Sequence, residues 1–232
     1  MSDSLREILD IGVFWEFRNI LLRGLLVNFL VFFGAAAVAL GVGLGAALLR
    51  VSRFRVLRAV GTVHVEIFRN APDYVMIVWV HFVLPLLIGT LLHTRFELNP
   101  FASGVLALGL VYSGYFAETF RTGIEAVPSG HLEAGRSLGM GETLLMWRIV
   151  LPQVVRRMLP ESINIFISLF KATTIVSLIA VPDLMYNVSM ITQQEMRPLP
   201  LYTGAALVYF AIVLVAGSAL RAVAERWRAK IT

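Results

Sequence analysis

GLLVNFLVFFGAAAVALGVGLGAALL, residues 24–49, decides the class of fold. Asn28 is its only strongly polar residue, and about 20 mainly apolar residues are enough for a helix to cross the hydrocarbon core of a bilayer. Gly34, Gly41, Gly43 and Gly45, with small residues between them, suit close helix packing in lipid. Four more runs follow, at residues 74–92 (with His81 and Pro85), 101–120, 163–181 and 201–220. The sequence predicts an all-α, polytopic membrane helical bundle of five transmembrane helices, forming one transmembrane domain over residues 1–232.

Composition agrees. Of 232 residues, 58% are apolar and 15% charged, with a mean hydropathy of +0.78, where a soluble domain is about half apolar and about a quarter charged. The net charge of +5 does not mark a nucleic-acid binder, because the basic residues fall in clusters between apolar runs. Arg50, Arg53, Arg55 and Arg58 separate the first two runs. Arg121, Arg136, Arg148, Arg156 and Arg157 separate the third and fourth, and Arg221, Arg226, Arg228 and Lys230 follow the fifth. The opposite loops offer only Arg95 and Arg197. Cytoplasmic loops carry the Arg/Lys excess, so the pattern predicts an outside N-terminus and an inside C-terminus.

There is no cysteine, hence no disulfide or cysteine nucleophile. Asp3, Arg6, Glu7 and Asp10 do not resemble the start of a signal peptide, which predicts that the first run is a retained helix. His64, His81 and His93 are too scattered to suggest a metal site, and Trp15, Trp79 and Trp227 suit interfacial belts.

The polar segment 121–161 is the largest piece outside the predicted spans. It reads as two short helices. Pro128 and Ser129 open the first, Glu133 lies in its early turns, and Gly139 can supply a left-handed C-terminal cap. The second starts near Glu142, with Leu144, Leu145, Ile149 and Val150 as apolar members, and is expected to break at Pro152.

Glu133-Ala134-Gly135, Leu138-Gly139, then Ile149, Leu151 and Pro152 resemble the cytoplasmic "EAA" motif of binding-protein-dependent ABC permeases. All spacings fit, and the one departure is Gly135 where the family has a second alanine. Glu66-Ile67-Phe68-Arg69-Asn70-Ala71-Pro72, Ser113-Gly114-Tyr115-Phe116-Ala117-Glu118-Thr119-Phe120-Arg121 and Ser168-Leu169-Phe170-Lys171-Ala172-Thr173-Thr174 are similar to stretches of the polar amino acid (histidine/glutamine-type) branch. There Asn70 and Ala71 replace Gly-Thr, and Ala172 replaces an acid.

The resemblance implies a type I ABC importer transmembrane fold in a bacterial inner membrane. It implies a coupling helix over Ala134 to Gly139 that docks on a separate ATPase subunit present in two copies. It further implies a second permease copy or homologue, an extracytoplasmic solute-binding protein and a small polar solute such as an amino acid. Leu132, Leu138 and Met140 offer apolar anchors for the docking, and Glu133 can pair with Arg136 or a partner cation. No cofactor is expected in this chain, which is read as non-catalytic. The only lysines, Lys171 and Lys230, are not followed by Ser or Thr, so no phosphate-cradling loop exists and ATP must be bound by the partner.

A charge at the centre of a spanning helix costs about 2.5–3.5 kcal/mol on insertion scales, and such residues usually face a cavity or a partner. Lys171 holds that place in the fourth span. Two readings stand for it: contact with a solute carboxylate or service as a pathway counter-charge, against an ion pair with Glu118 or snorkelling to an interface if the span boundaries lie elsewhere. Asn164, Ser168 and Lys171 share a helix face, Thr173 and Thr174 add hydrogen-bonding groups, and Ser113 and Glu118 are candidates from the third span. The competing reading of the polar groups is interhelical hydrogen bonding. Among whole functions, the alternative is an ion-coupled secondary transporter or channel subunit, which predicts several ionisable pathway residues and internal repeats. A membrane enzyme would need paired acids, metal spacing or a nucleophile elbow, and none is present.

Overall fold

The computed structural model describes residues 12–229, without the side chains of 223 and 225–229. Asp3, Arg6, Glu7, Asp10 and Lys230 therefore lie outside the described residues, as do the side chains of Arg226, Trp227 and Arg228. Among the described residues all regular structure is helical. The elements are α1 (Gly12–Glu16), α2 (Arg18–Arg50), α3 (Arg55–Asn70), α4 (Asp73–Leu92), α5 (Pro100–Glu125), α6 (Ser129–Ser137), α7 (Glu142–Ile179), α8 (Leu184–Glu195) and α9 (Pro198–Ala229). Five of them are long and apolar enough to cross a membrane: α2, α4, α5, α7 and α9. That is the number of spans the sequence predicts.

Local chemistry sets the boundaries. Asn99 caps α5, its side-chain oxygen accepting from the Phe101 N–H at 2.8 Å, with Pro100 at the first helical position. The expected break at Pro152 does not occur. A proline inside a helix lacks a donor and crowds the preceding turn, but here a wide π turn (Met146–Val150) lies just before it. The Leu151 N–H reaches back five residues to the Met146 carbonyl. The helix then continues past Pro160 and finishes as a 3₁₀ segment, Thr173–Ile179. Pro85 in α4 is accommodated in the same way: the π turn Trp79–Val83 precedes it and the Leu84 N–H bonds the Trp79 carbonyl.

The chain forms two compact units, and α2, α5, α7 and α9 each contribute to both. One comprises residues 12–36, 72–109 and 167–216. Its core packs Leu21 of α2 with Leu184, Val188 and Ile191 of α8 and Leu201 and Ala205 of α9. Phe29, Phe32, Phe170 and Tyr209 add an aromatic cluster.

The other unit comprises residues 37–71, 110–166 and 217 onward. Here α3, which the sequence reading left inside a basic connection, is clamped by small residues. A Cβ on Gly61 would lie 2.8 Å from the Ala46 carbonyl oxygen, and one on Gly114 would lie 2.8 Å from the Arg69 nitrogen. Of the α2 glycines expected at close contacts, Gly43 meets α5 backbone and Gly34 meets Val105, whereas Gly41 and Gly45 face open space.

Candidate functional site

The segment after α5 is a braced knob. Val127, Val150, Val154 and Met158 form a small core, joined by Leu132, Phe120 and Ile124. Gly123 lets α5 approach α7, since a Cβ there would sit 2.9 Å from Met158 and 3.1 Å from Val154. Polar ties add to this: Arg157 Nη1 donates to the Ala126 carbonyl at 2.6 Å, and the His131 ring lies 3.2 Å from Gln153 Oε1.

The end of α6 is closed by Gly139 in the left-handed region (φ 76°), as the sequence predicts. The Met140 N–H bonds the Gly135 carbonyl at 3.1 Å and the Gly139 N–H bonds the Arg136 carbonyl at 2.9 Å. This pair of bonds satisfies the last carbonyls of the helix and reverses the chain. Arg136 does not pair with Glu133. Its Nε meets Glu142 Oε1 at 2.9 Å, spanning the turn, and the Glu142 carboxylate holds its guanidinium above the usual arginine range.

The motif residues divide by direction. Gly135 is buried against α7, where a Cβ would lie 2.5 Å from Leu145 Cδ2 and 2.9 Å from Ile149 Cδ1. Leu151 and Pro152 are half-buried at the exit of the π turn. Glu133, Ala134, Leu138 and Gly139 face outward. Leu132 is absorbed by the inner core and Met140 packs back near Gly135, so neither serves as an outward anchor. Leu138 faces outward, at 82% exposure. Trp147 at the start of α7, which the sequence reading passed over, is 66% exposed.

The candidate pathway residues separate into several environments. Asn164, Ser168 and Lys171 form an exposed face of α7, spaced as the sequence predicts. Thr173 is not on it. It is buried, its hydroxyl donating to the Phe170 carbonyl at 2.7 Å and accepting from Asn28 at 3.1 Å. Thr174 donates to the Lys171 carbonyl at 2.9 Å. Ser113 is buried, 2.8 Å from the His64 ring. Glu118 is held by two arginines, Arg50 and, at 2.5 Å, Arg121, which also bonds Glu125. These partners occupy the carboxylate that the ion-pair reading would have given to Lys171.

A polar cluster around Asn28 escaped the sequence reading. The Asn28 amide is fully buried and makes four bonds: donating to Thr173 and to Asp183 Oδ2 (3.0 Å), and accepting from the Leu184 N–H (3.1 Å) and the Tyr209 hydroxyl (3.0 Å). Asp183 also caps α8 through the Tyr186 N–H at 2.8 Å. A lone asparagine in a spanning run was the available signal. Among the described residues no group of His, Cys, Asp and Glu could hold a metal ion.

Residues 37–229 match the family described as binding-protein-dependent transport system inner membrane component. The arginine ABC transporter permease protein ArtQ of Haemophilus influenzae is 36% identical over 160 residues, covering 69% of this chain and 72% of that protein. A probable glutamine ABC transporter permease protein, GlnP of Bacillus subtilis, is 34% identical over 192 residues, covering 82% and 85%. Among solved structures, one described as an amino acid ABC transporter with histidines superposes with a TM-score of 0.83 at 29% identity, covering 94% of this chain and 98% of that one. The MetNI methionine ABC transporter, at 17% identity and a TM-score of 0.67, shares the fold.

Proposed function

Since the chain belongs to the family of binding-protein-dependent transport system inner membrane components, we propose that it is the permease subunit of an ATP-driven importer for a polar amino acid. The names of its relatives support the solute class. Asn164, Ser168 and Lys171 are the side chains we assign to the solute path, with Lys171 as the cation for a carboxylate. The loop arginines set the orientation, N-terminus outside and C-terminus inside, by the positive-inside rule. A second permease, two ATPase copies that bind ATP and an external binding protein complete the complex.

The observation that carries this reading is the knob itself. A helix braced from inside by Gly135 against Leu145 and Ile149, with the exposed Arg136–Glu142 pair spanning its turn, is held to the start of α7 as a stiff element, and it presents Leu138 outward. A rigid docking element of this kind can turn nucleotide-driven motion of a partner into rocking of the helices around a midplane site. The ion-coupled alternative has no corresponding use for it.

The test is Leu138→Asp, because a charge on a side chain 82% exposed costs the fold little. Purified with its ATPase in proteoliposomes, the variant should lose binding-protein-stimulated hydrolysis and uptake while inserting and melting like the wild type. Retained ATP-driven uptake, or uptake that follows an ion gradient without nucleotide, would refute the assignment.

A further inference from the structure

At the end of the bundle that carries the coupling loop, a cavity of about 470 Å³ opens between α2, α3 and α5. Arg50, Arg58, Arg121 and Glu125 line it, with Val51 and Ile124 as apolar walls. Arg50 and Arg121 share Glu118, and Arg121 also holds Glu125. Three guanidiniums therefore meet two carboxylates, and among the described residues no carboxylate pairs with Arg58. The cavity has a standing positive charge where α2 and α5 end, the level of a headgroup layer.

On its far side from the cavity, α3 presents an unusual surface. Val56, Val60, Val63 and Ile67 recur at helical spacing and are 54–75% exposed. They lie on the side away from the buried Gly61 and Val65, by which α3 is clamped. An apolar stripe on one side of a helix with Arg55, Arg58 and Arg69 on the other is the pattern of a helix lying in a membrane interface. Basic pockets among helix ends at a membrane surface suit anionic lipid headgroups.

We propose that this cavity binds one anionic phospholipid. Its phosphate accepts hydrogen bonds from Arg58 and from the outward edges of Arg50 and Arg121, and its acyl chains leave the cavity past its apolar walls, Val51 and Ile124. Arg58 supplies the unneutralised charge. Arg50 and Arg121 are already oriented by Glu118, so little side-chain freedom is lost on binding. Glu125 opposes binding. The site is separate from both the coupling face and the Lys171 face, and its test needs no nucleotide, solute or binding protein.

The experiment is native mass spectrometry of the full chain in its purified complex, titrated with phosphatidylglycerol against a phosphatidylcholine background. The wild type should retain one phosphatidylglycerol per chain in preference to phosphatidylcholine. Arg58→Ala should weaken that retention about fivefold, the factor expected of one basic side chain near an anionic surface. Glu125→Gln should strengthen it by a similar factor, and Arg58→Lys should retain most of it, each at an unchanged melting temperature. An equal loss in Arg53→Ala, which lies outside the cavity, would show diffuse attraction and overturn the proposal. So would competition by inorganic phosphate at matching concentration, which would make the site one for a free anion. Efficient Val60→Cys cross-linking between two copies would also overturn it, since the stripe that places α3 and its cavity at the membrane interface would then be covered by protein.

Discussion

Asn28→Leu keeps the number of side-chain heavy atoms and removes four hydrogen bonds from a site with no access to water. Two donors are orphaned, the Leu184 N–H and the Tyr209 hydroxyl, at about 1–3 kcal/mol each. Asp183 keeps the Tyr186 N–H but loses the amide that faces its other oxygen, which adds a loss of similar size. Thr173 suffers least, since its hydroxyl still donates to the Phe170 carbonyl. Against these stands the apolar gain from the leucine. The net destabilisation should be about 4 kcal/mol, large for one substitution and of the kind that follows breaking a buried polar network. For a chain of this length that corresponds to a fall in melting temperature of roughly 8–16 °C.

The assay is thermal unfolding of the purified permease in detergent, followed by fluorescence-detected size exclusion. Tyr209→Phe alone should cost about 1 kcal/mol. Added to Asn28→Leu, it should cost nothing or restore stability, because it deletes a hydroxyl that has no remaining partner; coupling of this kind is what contacting residues show. If Asn28→Leu melts within 2 °C of the wild type, or the two losses simply add, the latch does not hold the helices as described.

Gly139 faces open space, so its substitution tests backbone conformation alone; Gly139→Ala should cost about 1–2 kcal/mol in the loop and Gly139→Asn clearly less, read as graded loss of ATPase stimulation. Gly135→Ala should change stability by no more than about 1 kcal/mol, because the helix-propensity gain offsets the shift forced on Leu145 and Ile149, whereas Gly135→Val should destabilise by about 2–3 kcal/mol in the same melting assay. Lys171→Gln should lower uptake about tenfold or more, the scale of one charge-assisted hydrogen bond, and leave the melting temperature and binding-protein-stimulated hydrolysis unchanged; normal uptake would remove Lys171 from the path.

The spanning helices were legible because each carries one long apolar run, and the cap at Gly139 because positive φ restricts the residue. α3 was not legible as a helix. Its apolar positions alternate with arginines and fill no continuous window, so it passed for a charged connection. Pro152 misled for a different reason: the donor rule for proline is local, but the π turn that accommodates it is only visible once the backbone is traced. The Asn28 cluster is the case where sequence distance is decisive. Its partners lie 145 to 181 residues away, and neither Asp183 nor Tyr209 stands out in its own segment.

Two of the departures from the resembling family patterns, Gly135 and Ala172, acquire meaning from direction. Gly135 stands where the pattern has alanine, and it points inward at Leu145 and Ile149. A change there has only to suit this chain's own packing. Ala172 stands where the branch has an acid, and it is 6% exposed, off the Asn164–Ser168–Lys171 face. A carboxylate at that depth would need a partner of its own, because an isolated buried charge is strongly disfavoured. Outward positions are constrained differently. On the proposed reading Ala134 and Leu138 match a surface on another subunit, so a change there requires a compensating change in a second chain. At the loop, an inward departure at Gly135 beside outward residues that fit the pattern is what the proposed docking surface should produce. Reciprocal repair follows as a consequence: a defect from Leu138→Asp should be rescued only by substitutions in the ATPase, and one from Gly135→Val only by smaller residues at Leu145 or Ile149.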